Sequence, residues 1–136
     1  MAQLHLKIVT PEKLIYDEEV SQVNVSTEGG IIGILPHHAN LMAKLEPGEL
    51  VIKKNGKEES MAIGDGFLQI SDNVLTVMTD LATYATEIDE RVVEDAKKRA
   101  EQALAQTLSD EEYAETMASL EKSLAQLRVK RRHKVR

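Results

Sequence analysis

The stretch Glu28-Gly29-Gly30-Ile31-Ile32-Gly33-Ile34-Leu35-Pro36-His37-His38-Ala39-Asn40-Leu41 decides how this chain is read. Three glycines fall among six residues, and an apolar pair then runs into a proline and two histidines. Glycine reaches backbone conformations closed to other residues, so Gly29-Gly30 reads as a tight turn and Gly33 as a bulge or a close approach. The isoleucines between them suit a pleated, half-buried surface. Pro36 has no N–H to give to a ladder, so a strand ends there or lies at an edge. These residues specify a short, glycine-bent strand that leads into a turn at one end of a sheet.

The sequence around this stretch keeps a period of two from Gln3 to about Glu87, the signature of strands. Leu4, Leu6 and Ile8 alternate with His5, Lys7 and Val9, and Thr10-Pro11-Glu12 closes that strand. Val23 and Val25 alternate with polar neighbours. Val51-Ile52 and Met61-Ala62-Ile63 flank Asn55-Gly56, a strong hairpin signal because both central residues must take positive φ. Gly64-Asp65-Gly66 and Asp72-Asn73 mark further reversals. Turn signals spaced about 8 to 12 residues apart predict a small β-sandwich or flattened barrel over residues 1–86.

The pattern changes at Ile88-Asp89. Beyond it there is neither glycine nor proline, and alanine becomes frequent. Val92/Val93, Ala96, Ala100, Ala103 and Leu104 recur at helical spacing, with Asp89 suited to cap the helix. Ser109 and Glu112 form a capping box for a second helix, whose apolar stripe is expected at Tyr113, Met117, Leu120, Leu124 and Leu127. A break near Gln106 to Ser109 makes residues 87–136 an antiparallel helical hairpin. Alanine-rich faces allow close approach but bury little, at about 0.8 kcal/mol per CH₂. Such a hairpin must lean on the β domain or a partner, or alternate between arrangements.

The 136-residue chain has 42% apolar residues but only four aromatics, Tyr16, Phe67, Tyr84 and Tyr113. The core is therefore aliphatic, and stacking of nucleic-acid bases is disfavoured. It lacks cysteine, which removes disulfides and thiolate chemistry. No apolar run approaches the roughly 20 residues of a membrane-spanning helix, and the N-terminus lacks the apolar region of a signal peptide. The expectation is a soluble, cytoplasmic protein that meets a membrane only through a partner. The net charge is −6, yet Arg128 to Arg136 hold six Lys or Arg and no acid. A tail of that composition suits something negative, whether protein, nucleic acid or lipid headgroup.

Catalytic patterns are lacking. Neighbours on a strand face opposite sides, so His37 and His38 are badly placed to share a metal, and a turn histidine bonded to backbone is the simpler reading. Gly29-Gly30-x-x-Gly33 lacks the Lys-Ser/Thr and the helix start of a phosphate loop. No serine or threonine has a recognisable histidine base. The paired acids Glu18-Glu19, Glu58-Glu59 and Glu111-Glu112 read as solvated faces or helix starts. No metal, no cofactor and no enzyme is expected.

The glycine stretch resembles the Glu-Gly-x-x-Gly-Ile-Leu-Pro-x-His-Ala-x-Leu segment of the epsilon subunits of bacterial F-type ATP synthases. The likeness continues through Leu45-Glu46-Pro47-Gly48, Gly66-Phe67-Leu68-Gln69-Ile70, Asn73-Val74-Leu75-Thr76-Val77 and Ala125-Gln126-Leu127-Arg128-Val129. The resemblance implies a non-catalytic rotor part of the central stalk, peripheral on the cytoplasmic face of the cell membrane. Its β domain would clasp the gamma subunit and rest on the c-subunit ring through Gly29, Gly30, Ile31, Ile32, Gly33, Pro36, His37 and His38. Ile31 stands where some members carry an acid, so an apolar contact is expected there. The helices would extend toward the catalytic head of alpha and beta subunits. Arg128, Lys130, Arg131, Arg132, Lys134 and Arg136 would then meet its acidic segments and hinder ATP hydrolysis.

Some members also bind ATP through Ile/Leu-Asp-x-x-Arg-Ala at this helix start. Ile88 and Asp89 match, but Val92 and Val93 replace the last two residues, and Arg91 stands about 100° away around a helix. Arg99 matches a further basic position, while Lys122 and Gln126 stand where arginines are expected. ATP binding, if present, is weak and without hydrolysis. Two other classes fit the residues less well: an ATP-sensing module, and a nucleic-acid-binding module acting through the basic tail.

Overall fold

The computed structural model describes residues 2–106 and 108–134, with Lys134 as backbone alone. Among the described residues the chain forms nine strands followed by two helices. The strands are β1 (Leu4–Val9), β2 (Leu14–Val20), β3 (Gln22–Thr27), β4 (Gly30–Ile34), β5 (Leu41–Lys54), β6 (Lys57–Ile63), β7 (Gly66–Ser71), β8 (Val74–Thr79) and β9 (Ala82–Tyr84). A 3₁₀ turn over Ala85–Glu87 leads to α1 (Glu90–Leu104) and α2 (Asp110–Lys134).

Two layers make the expected sandwich. One runs β2-β1-β8-β7 and takes in Leu41–Lys44 of β5; the other joins the rest of β5 to β3, β4, β6 and β9. The pairs are antiparallel except β1 with β8. β5 thus belongs to both layers, and it changes layer at Leu45-Glu46-Pro47-Gly48. There Val25 pairs with Leu50 but Thr27 with Leu45, so residues Glu46 to Glu49 stand opposite Ser26 alone. This is a bulge, where proline's missing donor does no harm and the strand can bend. A Cβ on Gly48 would meet Ser26 Oγ at 2.6 Å, so the crossing strand needs glycine there.

Period-two alternation fills the space between the layers. Leu4, Leu6 and Ile8 of β1 are buried, as are Val23 and Val25, Leu50 and Ile52, and Leu68 and Ile70. Tyr16 is the one aromatic in this cluster of buried side chains, while Phe67 faces out. The turns follow the residues that permit them. Asn55 and Gly56 have φ of 52° and 76°, and Asp72 and Asn73 have 50° and 63°.

The helix starts are as the sequence specifies. Asp89 accepts from the Arg91 and Val92 N–H groups at 3.0 and 3.3 Å. The Ser109 hydroxyl accepts from the Glu112 N–H at 3.1 Å, and the Glu112 carboxylate accepts from the Ser109 N–H at 3.2 Å. The expected stripe of α2 is a correction: Tyr113 and Leu124 are exposed, whereas Ser123, Ala125, Leu127 and Val129 are buried. The reason is that α2 is covered from two sides, by α1 and by β5 and β6. A helix gripped on two faces buries more than one stripe, and small residues allow it.

Candidate functional site

The glycine stretch sits on the edge strand β4. Gly30 takes φ of +111° in the β3–β4 turn, as the sequence predicts. Gly33 is a close approach and not a bulge: the β3–β4 register is unbroken, and a Cβ there would lie 3.1 Å from Asn24 Oδ1. Ile31 is 77% exposed, while Ile32 packs against the core. At the other end of the strand, His37 takes φ of 64° and donates its N–H to Asn73 Oδ1 at 2.7 Å. The His38 ring lies 2.7 Å from the Ala39 carbonyl, a bond to backbone. Gly29, Gly30 and Ile31 therefore stand at one end of β4 and Pro36, His37 and His38 at the other, roughly 13 Å apart along the strand. No group of three His, Cys, Asp or Glu placed to hold a metal occurs among the described residues.

The turn end of β4 meets the basic end of α2. Gly30 and Ile31 share a cleft of about 430 Å³ with Ser26, Gly48, Arg128 and Arg132. Two sets of residues far apart in sequence thus come together. Several tail side chains are engaged by other groups of the same chain. Arg131 reaches Glu90 at 3.0 Å and Glu94 at 2.6 Å, and the Glu90 hydrogen bond raises its pKa further. Arg132 pairs with Glu49, and His133 Nε2 lies 2.9 Å from the other oxygen of the same carboxylate. Lys130 donates to the Ala85 carbonyl at 3.3 Å. The Lys134 side chain and Arg136 lie outside the described residues.

Glu49, Glu90 and Glu94, the acids that the tail side chains meet, are residues that sequence reasoning missed. No spacing links Glu49 to Arg132, 83 positions away. A usable signal was the Glu-Pro-Gly-Glu bulge, since bulges re-aim the side chain that follows.

The proposed nucleotide residues do not converge. Arg99 lines a cleft of about 500 Å³ between the helices, with Ser119, Lys122 and Ser123. Ile88 is buried in the helix–sandwich contact, Asp89 is engaged as a cap, and Arg91 is exposed; none of the three lines that cleft. Lys122 is paired with Asp80.

Comparison with known proteins covers both parts of this arrangement. The family described as "ATP synthase, Delta/Epsilon chain, beta-sandwich domain" matches residues 3–85. The family described as "ATP synthase, Delta/Epsilon chain, long alpha-helix domain" matches residues 86–131. The chain belongs to the ATP synthase delta/epsilon family. It is 40% identical over 133 residues to the ATP synthase epsilon chain of Chloroflexus aggregans, covering 98% of this chain and 96% of that one. It is 37% identical over 139 residues to the epsilon chain of Alkalilimnicola ehrlichii, covering 98% and 99%. A chain in the Euglena gracilis mitochondrial ATP synthase structure, OSCP/F1/c-ring, superposes with a TM-score of 0.76 at 26% identity, over 92% of this chain and 79% of that one. A chain of the Tetrahymena thermophila mitochondrial ATP synthase central stalk and c ring shares the fold at a TM-score of 0.61, over 93% and 95%. The fold expected of an epsilon subunit is the fold observed.

Proposed function

We propose that this epsilon-family chain is a non-catalytic rotor subunit in the central stalk of a proton-translocating ATP synthase. The β-sandwich joins the gamma subunit to the c ring, and the helical hairpin brakes ATP hydrolysis by rising toward the alpha/beta head. One observation carries this reading. The hairpin rests on the sandwich through a small apolar patch of Ala62, Ala85, Ile88, Val93, Leu127 and Val129, supplemented by a few ion pairs. An interface of six apolar residues, four of them alanine or valine, can be left and regained, which a two-arrangement switch requires.

The exposed Ile31, raised on a glycine turn, supports an apolar contact with the ring, and Pro36-His37-His38 a second contact at the far end of β4. Such a subunit sits peripherally on the cytoplasmic face of the membrane; no described helix is long and apolar enough to cross it. The pairing of Arg131, Arg132 and His133 with the chain's own acids leaves a nucleic-acid role for the tail without support.

The test is ATP hydrolysis by the assembled complex, with the full chain and with a chain ending at Glu87. Hydrolysis rises several-fold on truncation, with assembly intact. Unchanged hydrolysis in an intact complex would remove the brake and leave only the rotor clamp.

A further inference from the structure

We propose that Glu49 is an internal latch: its carboxylate holds α2 down by occupying Arg132 and His133, in competition with any outside acidic surface. Glu49 lies on the outer face of β5, directly opposite Ala62 of β6, while the next pair, Leu50 and Met61, points into the core. The bulge at Pro47-Gly48 precedes it and sets that orientation. Ala62 is fully buried because α2 lies over it, and Glu49 is drawn in with it, its side chain only 15% exposed.

The neighbouring contacts single this residue out. Arg131 ties α2 to α1, so it moves with the hairpin and does not hold it down. Lys130 ties α2 to the connecting turn. Among the described residues, only two acids of the sandwich pair with α2: Asp80 with Lys122, and Glu49 with Arg132 and His133. The two contacts lie ten positions apart on α2, roughly 15 Å. Between them the contact is apolar but thin, being mostly alanine and valine. Where area contributes little, a carboxylate that holds an arginine and a histidine side by side through charge-assisted hydrogen bonds weighs heavily. Arg132 is 66% exposed, so an external acid can reach it from the solvent side while Glu49 still holds it. Exchange of one carboxylate for another then needs no bare intermediate.

The latch stands on geometry alone; only its consequence in the complex rests on the brake reading above. The chain has no cysteine, so Gln69→Cys on β7 and Glu121→Cys on α2, both exposed, give one spin-label pair. Pulsed electron-spin distances in the full-length chain then report docking. Glu49→Gln raises the undocked-to-docked ratio about five- to tenfold, the range of a partly exposed pair with a charged hydrogen bond. Arg132→Glu, at a more exposed side chain that does not threaten folding, does the same. The exchanged pair Glu49→Arg with Arg132→Glu restores the docked distance. Distances in Glu49→Gln and Arg132→Glu that match the unmodified chain would overturn the latch. In the assembled enzyme, Glu49→Gln lowers ATP hydrolysis. Altered distances with unchanged hydrolysis would keep the latch and remove the brake reading instead.

Discussion

A Cβ placed on Gly66 would lie 1.9 Å from the carbonyl oxygen of Met78, because β7 opens at Gly66 with φ of +151° hard against β8. Neither the space nor the conformation admits a side chain. Gly66→Ala therefore costs more than about 3 kcal/mol, with strain and displacement of β8 combined. Gly29→Ala, whose Cβ would meet nothing nearer than Thr27 Oγ1 at 3.8 Å, changes stability by no more than about 0.5 kcal/mol. Urea unfolding midpoints of the two variants check this. Equal midpoints would mean that the two strands do not approach as described.

His5 gives the sandwich a pH dependence. It faces Glu19 directly across the β1–β2 pair, with its Nδ1 2.8 Å from that carboxylate and its Nε2 against Asp17. The hydrogen bond to Glu19 first, then that to Asp17, raises its pKa above 6.5. A group with a raised folded pKa stabilises fully below its unfolded value and loses that contribution as pH rises through the folded one. Stability therefore falls from about pH 6.5 upward, through the titration of His5. In His5→Gln that decline disappears, which denaturation midpoints between pH 5.5 and 9 would register. A decline of the same size in the variant would assign it elsewhere.

Tyr16 is buried, and its hydroxyl has no hydrogen-bond partner among the described residues. Burial first, then Glu18, Glu59 and Tyr84, pushes its pKa up to about 12. Since the unfolded phenol ionises near pH 10 and the folded one near 12, the native state loses stability between those values. Tyr16→Phe removes an unsatisfied group, so the variant is about 1 kcal/mol more stable at pH 7 and unfolds less readily in alkali. Calorimetry at pH 7 and pH 11 decides it; a destabilised variant would mean that the hydroxyl has a partner, water included.

These residues also show what can be read from a sequence. Asn55-Gly56, Asp72-Asn73, Asp89 and the Ser109–Glu112 box are local devices, in which a residue's own conformational range or a partner three positions away sets the structure. All lie where the sequence places them. β2 was hidden because Glu18-Glu19 interrupts its alternation and reads as a solvated acidic face. It is an edge strand whose acids serve His5 and Lys54. The buried face of α2 was hidden for another reason: its coverage depends on where the chain returns after 120 residues. Ser123 and Ala125 carry no signal of burial until the sandwich lies beside them. The Glu49–Arg132 contact is of the same kind, since topology and not spacing creates it.

Nucleotide binding is where the motif and the assembled geometry part. Of Ile88, Asp89, Arg91 and Arg99, only Arg99 lines the interhelical cleft, and Lys122 beside it is neutralised by Asp80. A triphosphate there would find one arginine, without an ion-pair partner among the described residues, and the hydroxyls of Thr116, Ser119 and Ser123. A dissociation constant above about 1 mM follows. At 1 mM ATP the added stability is then no more than about 0.4 kcal/mol, and the melting temperature rises by less than roughly 2 °C. Val92→Arg places a guanidinium on an exposed position of the first turn of α1, outside the cleft, and leaves that shift unchanged. Asp80→Asn frees Lys122 and increases it. Thermal unfolding of the full chain with and without ATP separates the cases. A rise of many degrees in the unmodified chain would overturn the weak binding, and a gain with Val92→Arg would place the nucleotide at the helix start and not between the helices.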